Sequence, residues 1–163
     1  SKKLLKSAGY ANGLTINLDL PPIAYATNSG EFIAASLAKV GIKVNLKPIA
    51  WGEWIDRVFT KKDYDMTIVC HIESNDMAIY ANPAYYFGYN STTYQGLIKK
   101  AASAKTQAAR VENLKKAARV LANDSVSDWL WLIPNLQVAK KQISGIPLNT
   151  VGDAYTVDRI TVG

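Results

Sequence analysis

Leu14, Ile16, Leu18 and Leu20 alternate with Thr15, Asn17 and Asp19, the period-two pattern of a strand with one buried face. Pro21-Pro22 ends it, because proline cannot donate to a ladder. After a polar loop, Asn28 with Glu31 three positions on has the pattern of a capping box, and Phe32, Ile33, Leu37 and Val40 trace one helical face up to Gly41, the expected C-cap. Ile42, Val44 and Leu46 then alternate with Lys43, Asn45 and Lys47. Strand, helix and strand at this spacing predict a parallel pair joined by a right-handed crossover.

A helix over 52–59 is expected next, followed by Met66-Thr67-Ile68-Val69-Cys70, an apolar run that suits a buried central strand with an inert thiol at its end. Residues 71–95 have no period and are rich in Asn, Ser, Pro and Tyr, which predicts a long aromatic loop. Thr106 is placed to cap a helix whose Val111, Leu114, Ala118 and Leu121 form a core stripe. Trp129-Leu130-Trp131-Leu132-Ile133 reads as another buried strand, ended by Pro134, and Leu136 to Ala139 and Ile143 to Leu148 as short closing strands or turns. The fold expected is α/β: a mixed, mainly parallel sheet with strands near 14–20, 42–48, 66–70 and 129–133, flanked by helices near 30–40, 52–60 and 107–122. One domain is expected over residues 1–163.

Composition narrows the function. With 163 residues and 48% apolar content the chain can cover one sizeable core. It contains no run of 18 apolar residues, and its first residues lack the pattern of a secretion signal. The formal charge of +6 is scattered over Lys99, Lys100, Lys105, Arg110, Lys115, Lys116 and Arg119, among others, which reads as solvated helix faces and gives no reason to expect a nucleic-acid partner. There is no Gly-x-Ser-x-Gly elbow and no phosphate loop, and His71, the single histidine, has no nucleophile at a fixed spacing. Neither a second histidine nor a cysteine pair accompanies it, so no metal and no cofactor are expected. A binding module is favoured over an enzyme. The alternatives are a stand-alone interaction domain using its basic helical face and, less favoured, a small hydrolase.

One stretch carries more than the rest. Gly41-Ile42-Lys43-Val44, Glu53-Trp54, Arg57 and Asp63-Tyr64-Asp65-Met66, in that order, resemble a segment of the extracytoplasmic solute-binding proteins of peptide and nickel (family 5) ABC importers. Lys3-Leu4-Leu5-Lys6-Ser7-Ala8-Gly9-Tyr10 with Asn12-Gly13-Leu14 is similar to the start of the C-terminal lobe of that family. Ile143-Ser144-Gly145-Ile146-Pro147-Leu148-Asn149 resembles a motif near the end of the fold. The resemblance implies one lobe of a class II periplasmic-binding-protein fold, in a bacterial periplasmic or extracytoplasmic receptor that closes on a ligand between two lobes. It also implies three partners: a small or peptide-like amine-bearing ligand, the N-terminal lobe of the same protein, and a membrane permease. The chain is then expected to be a fragment that binds weakly alone.

The resemblance also suggests where a ligand sits. In the peptide-binding relatives the third strand ends in Gly-Trp, and an aspartate a few residues on holds the ligand's α-amino group. Here Cys70-His71 replaces that pair and Ser74 stands at the aspartate position, with Glu73 and Asp76 flanking it. Either carboxylate can serve an ammonium group after a small loop shift, though both also read as solvated loop acids. His71 falls where open α/β sheets bind ligands. Trp51 matches a cleft-facing tryptophan of the family, while Trp54, Trp129 and Trp131 are expected in the packing. Tyr85 and Tyr86 complete the candidate set, with aromatic packing under the loop as the competing role.

Overall fold

The computed structural model describes all residues except 72, 74, 135 and 149–156. The described chain groups into two compact units: Ser1–Cys70 with Pro83–Gly88, and His71–Asn82 with Tyr89–Gly163.

The first unit opens with a short helix α1 (Lys2–Ser7), then β1 (Leu14–Leu20), α2 (Ala24–Ala38) and β2 (Ile42–Pro48). Next come a single turn α3 (Trp51–Glu53), which widens into a π-helix (Trp54–Thr60), and β3 (Met66–Thr67). The three strands form a parallel sheet in the order β2-β1-β3, with Leu18 opposite Leu46 and Met66. Side chains alternate across it. On one face Leu18 and Leu20 are buried with Ala26 of α2, and Val44, Leu46, Met66 and Ile68 pack around them. The other face carries a ladder of polar groups, in which Asn45 donates to Asn17 Oδ1 and both the backbone N–H and the side-chain amide of Asn17 donate to Asp65. Gly13 and Gly41 lie where the turns before β1 and β2 touch. A Cβ on Gly13 would sit 2.6 Å from the Gly41 carbonyl oxygen, so no larger residue fits without moving the backbone.

Asp19 of β1 is wholly buried on the polar face and accepts a 2.6 Å hydrogen bond from Arg57 Nη2, while Arg57 Nη1 donates to the Asp63 carbonyl. That ion pair raises the Arg57 pKa, chiefly through the bond to Asp19. It ties the π-helix to β1 and to the turn before β3. Beside it, Trp54 donates from Nε1 to Thr67, whose hydroxyl donates to the Asp19 carbonyl.

In the second unit, α4 (Asp76–Ile79) precedes two longer helices, α5 (Thr92–Ala102) and α6 (Gln107–Asp124). Ser91 and Thr106 cap these by accepting from the backbone N–H groups of Tyr94 and Ala109. The helices pack through Tyr94, Ala101, Ala117 and Leu121, all buried, and Tyr94 donates its hydroxyl to the Met77 carbonyl at 2.7 Å. Further on, β4 (Ile143–Ser144) pairs antiparallel with β5 (Thr161–Val162). Among the described residues, no helix is long and apolar enough to cross a membrane.

The α/β class and the parallel sheet agree with the sequence pattern, and four local expectations are corrected. The second helix starts at Ala24 behind Pro21-Pro22, with Ile23 as an N-cap that makes no side-chain bond, so Asn28 is interior to it. The third strand is two residues long, and Cys70 is exposed. The buried face of α6 runs through Ala117 and Leu121, leaving Val111 and Ala118 exposed, because the stripe is rotated by about one residue. Trp129–Ile133 forms no strand. It has no regular secondary structure and is 42–95% exposed residue by residue, since no described segment takes up its N–H and C=O groups.

Candidate functional site

The candidate residues fall into two sets, one in each unit. Trp51 begins α3 directly after β2, so the strand end fixes where the indole emerges, and it remains 39% exposed. Its ring meets Trp54 edge-on at 5.7 Å, and Trp54 meets Tyr86 at 5.5 Å. Tyr86 is buried and packs against Tyr64, Phe87, Phe59 and Tyr85, while Tyr85 is half-buried and touches Phe59 edge-on. The structure thus joins Trp51 to the two tyrosines through Trp54. Trp51 is the exposed end of the stack and Tyr86 its buried support. Burial also raises the Tyr64 phenol pKa, and its hydroxyl donates to the Tyr86 carbonyl.

The second set is His71, Glu73 and Asp76; Ser74 lies outside the described residues. His71 Nδ1 stands 3.1 Å from Glu73 Oε2. One donor atom from each of the three side chains lies within 4.8 Å of the others. Asp76 Oδ1 is closed off from solvent and has no hydrogen-bond partner among the described residues. Its pKa is raised, first by desolvation and then by the negative charge of Glu73, with His71 opposing. The two carboxylates are therefore neighbours sharing one electrostatic problem, and a cation between them relieves it. Sequence spacing marked both acids as flanking Ser74 but did not bring them together. The short α4, beginning at Asp76, turns that side chain back toward Glu73. The sequence reading also expected no metal-ligating cluster, whereas the loop gathers three donors of the types that hold metals.

Unit one carries a polar pocket missed by that reading, of about 290 Å³. Asn17, Asp19, Lys47, Arg57, Asp63 and Asp65 are among its lining residues. The alternation along β1 and β2, which sends Asn17, Asp19, Asn45 and Lys47 to one face, was the available signal. The pocket balances acids against bases and surrounds the Asp19–Arg57 pair.

No family model matches the chain. In sequence and in fold the chain is nonetheless similar to a segment of periplasmic binding proteins of ABC transporters. In sequence it is 28% identical over 170 residues to the probable ABC transporter periplasmic-binding protein SapA of Escherichia coli K12, a match covering 94% of this chain and 31% of that protein. In fold it is similar to the dipeptide-binding protein of Pseudoalteromonas sp. SM9913 solved with Met-Leu (TM-score 0.71, 18% identity, 99% of this chain and 35% of that one). It is also similar to the periplasmic binding protein DppA of Helicobacter pylori solved with a peptide (TM-score 0.62, 24% identity, 77% and 27%). These likenesses bear out the resemblance carried by the Gly41–Met66 motif. The chain spans about a third of the length of the curated relatives it matches. Those relatives are named as periplasmic proteins of transport.

Proposed function

We propose that residues 1–163 act as one ligand-binding lobe, the C-terminal one, of a periplasmic solute-binding protein serving an ABC importer. The match along 94% of the chain to about a third of SapA is the observation that carries this reading. The ligand is a peptide-like or other small amine-bearing molecule, enclosed between this lobe and a second lobe from elsewhere in the protein and then passed to a membrane permease. The chain works as a receptor part and not as a catalyst. Trp51 offers the exposed aromatic surface, with Tyr85 beside it and Tyr86 holding the stack from behind. His71, Glu73 and Asp76, with Ser74, form the cation-recognising loop, and the paired carboxylates of Glu73 and Asp76 support the choice of an amine.

A single lobe keeps only part of the contacts of a closed receptor, while the ligand loses the same translational freedom. The 163-residue chain should therefore bind a dipeptide such as Met-Leu at millimolar affinity or weaker, about 4 kcal/mol or less. The N-acetylated dipeptide should bind less well still. NMR shifts should fall on Trp51 and residues 71–76, and the double variant Glu73→Gln/Asp76→Asn should abolish the preference for the free amine. Sub-micromolar binding by the chain alone, or a footprint on Arg110 to Arg119, would overturn the lobe reading and favour a self-sufficient interaction module.

A further inference from the structure

We propose that His71, Glu73 and Asp76 form a three-donor site for one divalent transition-metal ion of the zinc type. The proposal rests on the reading of the 71–76 loop as the cation-recognising part of the site, and it narrows which cation that loop prefers.

Geometry is the first support. Around an ion with bonds of about 2.0–2.2 Å to nitrogen and oxygen, neighbouring donor atoms stand roughly 3.0–3.5 Å apart. His71 Nδ1 and Glu73 Oε2 are already at 3.1 Å, and the whole set lies within 4.8 Å. The second support is Asp76 Oδ1, a solvent-inaccessible carboxylate oxygen that no donor among the described residues satisfies. Charge balance is the third: with a neutral imidazole, the two ionised carboxylates carry two negative charges, which a divalent ion neutralises and a single ammonium only halves.

Donor type selects the metal. Magnesium and calcium favour all-oxygen shells, whereas imidazole nitrogen suits zinc, nickel and copper. Three protein donors also leave a coordination position open, which an amine or carboxylate of a ligand can take. Cys70 is exposed and adjacent in sequence, so its thiol has to be separated from the proposed set.

The test uses the 163-residue chain stripped with EDTA and titrated with zinc chloride, with magnesium chloride as the control. Because His71 is the single histidine, its ring nitrogens report on the site without ambiguity. One zinc ion per chain is expected, with a shift of the Nδ1 resonance and no response to magnesium at the same concentration. Cys70→Ser should leave the affinity unchanged. His71→Gln and Asp76→Asn should each weaken it about tenfold or more, with circular dichroism confirming that both variants are folded. Absence of 1:1 binding, binding lost in Cys70→Ser, or affinity unchanged in both His71→Gln and Asp76→Asn would overturn the metal site. The comparison of free with N-acetylated dipeptide in metal-free buffer separates the two readings. An intact amine preference without zinc binding removes the metal site alone, and zinc binding without an amine preference removes the amine reading alone.

Discussion

Two tryptophan-bearing stretches end in opposite environments. Trp54 is 7% exposed, hydrogen-bonded to Thr67 and edge-on to Tyr86, whereas Trp129 and Trp131 are 57% and 49% exposed in a segment without regular secondary structure. The difference does not lie in hydrophobicity. Trp54 sits on a helix fastened to the sheet by Arg57 and Asp19, while Trp129–Ile133 has no strand beside it among the described residues. An apolar run supplies the means for burial, and a neighbour decides whether burial happens.

The contrast breaks if the two stretches respond alike to truncation. Trp54→Ala should cost about 3–5 kcal/mol, because it removes a large buried ring and leaves Thr67 and Tyr86 facing a cavity. Trp131→Ala should stay within about 0.5 kcal/mol, as expected of a surface change. Urea unfolding followed by circular dichroism measures both, and comparable losses would mean that Trp131 is packed in solution. Acrylamide quenching gives an independent check, since Trp129 and Trp131 should be quenched more readily than Trp54. From sequence, Trp54, Trp129 and Trp131 were all expected in the packing and Trp51 was to be the more accessible indole, whereas Trp129 and Trp131 are more exposed even than Trp51 at 39%.

A smaller effect sharpens the same comparison through the ion pair that fastens the helix. Arg57→Ala leaves the wholly buried Asp19 without its cation and should cost about 3 kcal/mol. Lys61→Ala removes an exposed bridge to Asp56 and should cost well under 1 kcal/mol. If the two were equal, the Asp19–Arg57 pair would not be what holds the π-helix in place.

How much of this was legible depends on whether the pattern was local. The strands Leu14–Leu20 and Ile42–Pro48 match the alternation read from sequence, because each buries one face within its own period. Thr106 was identified as a cap for a similar reason: a hydroxyl just before a helical stripe accepts from the N–H three residues on. The start of α2 was misplaced because Pro21-Pro22 was read only as the end of a strand. Here Ile23 donates to the Pro21 carbonyl and accepts from Ala26 and Thr27, opening the helix without a side-chain cap. Nonlocal features were harder. Trp51 could be placed because it follows a strand, but the approach of Asp76 to Glu73 depends on a turn with no sequence period. The burial of Tyr86 likewise depends on rings from the π-helix. In the same way, nothing within Trp129–Ile133 reports whether another strand lies alongside.

Alkaline pH compares the two units directly, since each buries a phenol. Burial raises the pKa of Tyr64 in one and Tyr94 in the other, with the charges of Tyr80 and Tyr89 adding to the effect on Tyr94. Between the unfolded value near 10 and the raised folded value, the unfolded chain has released a proton that the folded chain keeps. Stability is therefore fully present below about pH 10 and declines above it, by up to about 1.4 kcal/mol per pH unit for each such group. Denaturation at pH 9, 10 and 11 should show this decline, and Tyr94→Phe should flatten part of it. A slope unchanged in Tyr94→Phe would mean that its ring is solvated.

The smallest expected effect concerns two residues in the left-handed region, Lys62 at φ 57° in the first unit and Ser125 at φ 52° in the second. Side chains are strained there and glycine is not, although glycine loses more freedom on folding. Ser125 is the C-cap of α6, a place where helices commonly end on glycine, and its backbone N–H donates to the Ala122 carbonyl. Ser125→Gly should therefore stabilise by about 0.5 kcal/mol. Lys62 differs because its ammonium donates to the Pro83 carbonyl, so Lys62→Gly relieves strain but releases the segment that leads into Tyr85 and Tyr86. Its net change should be near zero. Thermal unfolding of the two variants side by side distinguishes them. A gain for Lys62→Gly as large as that for Ser125→Gly would show that the contact with Pro83 contributes nothing to holding the aromatic stack.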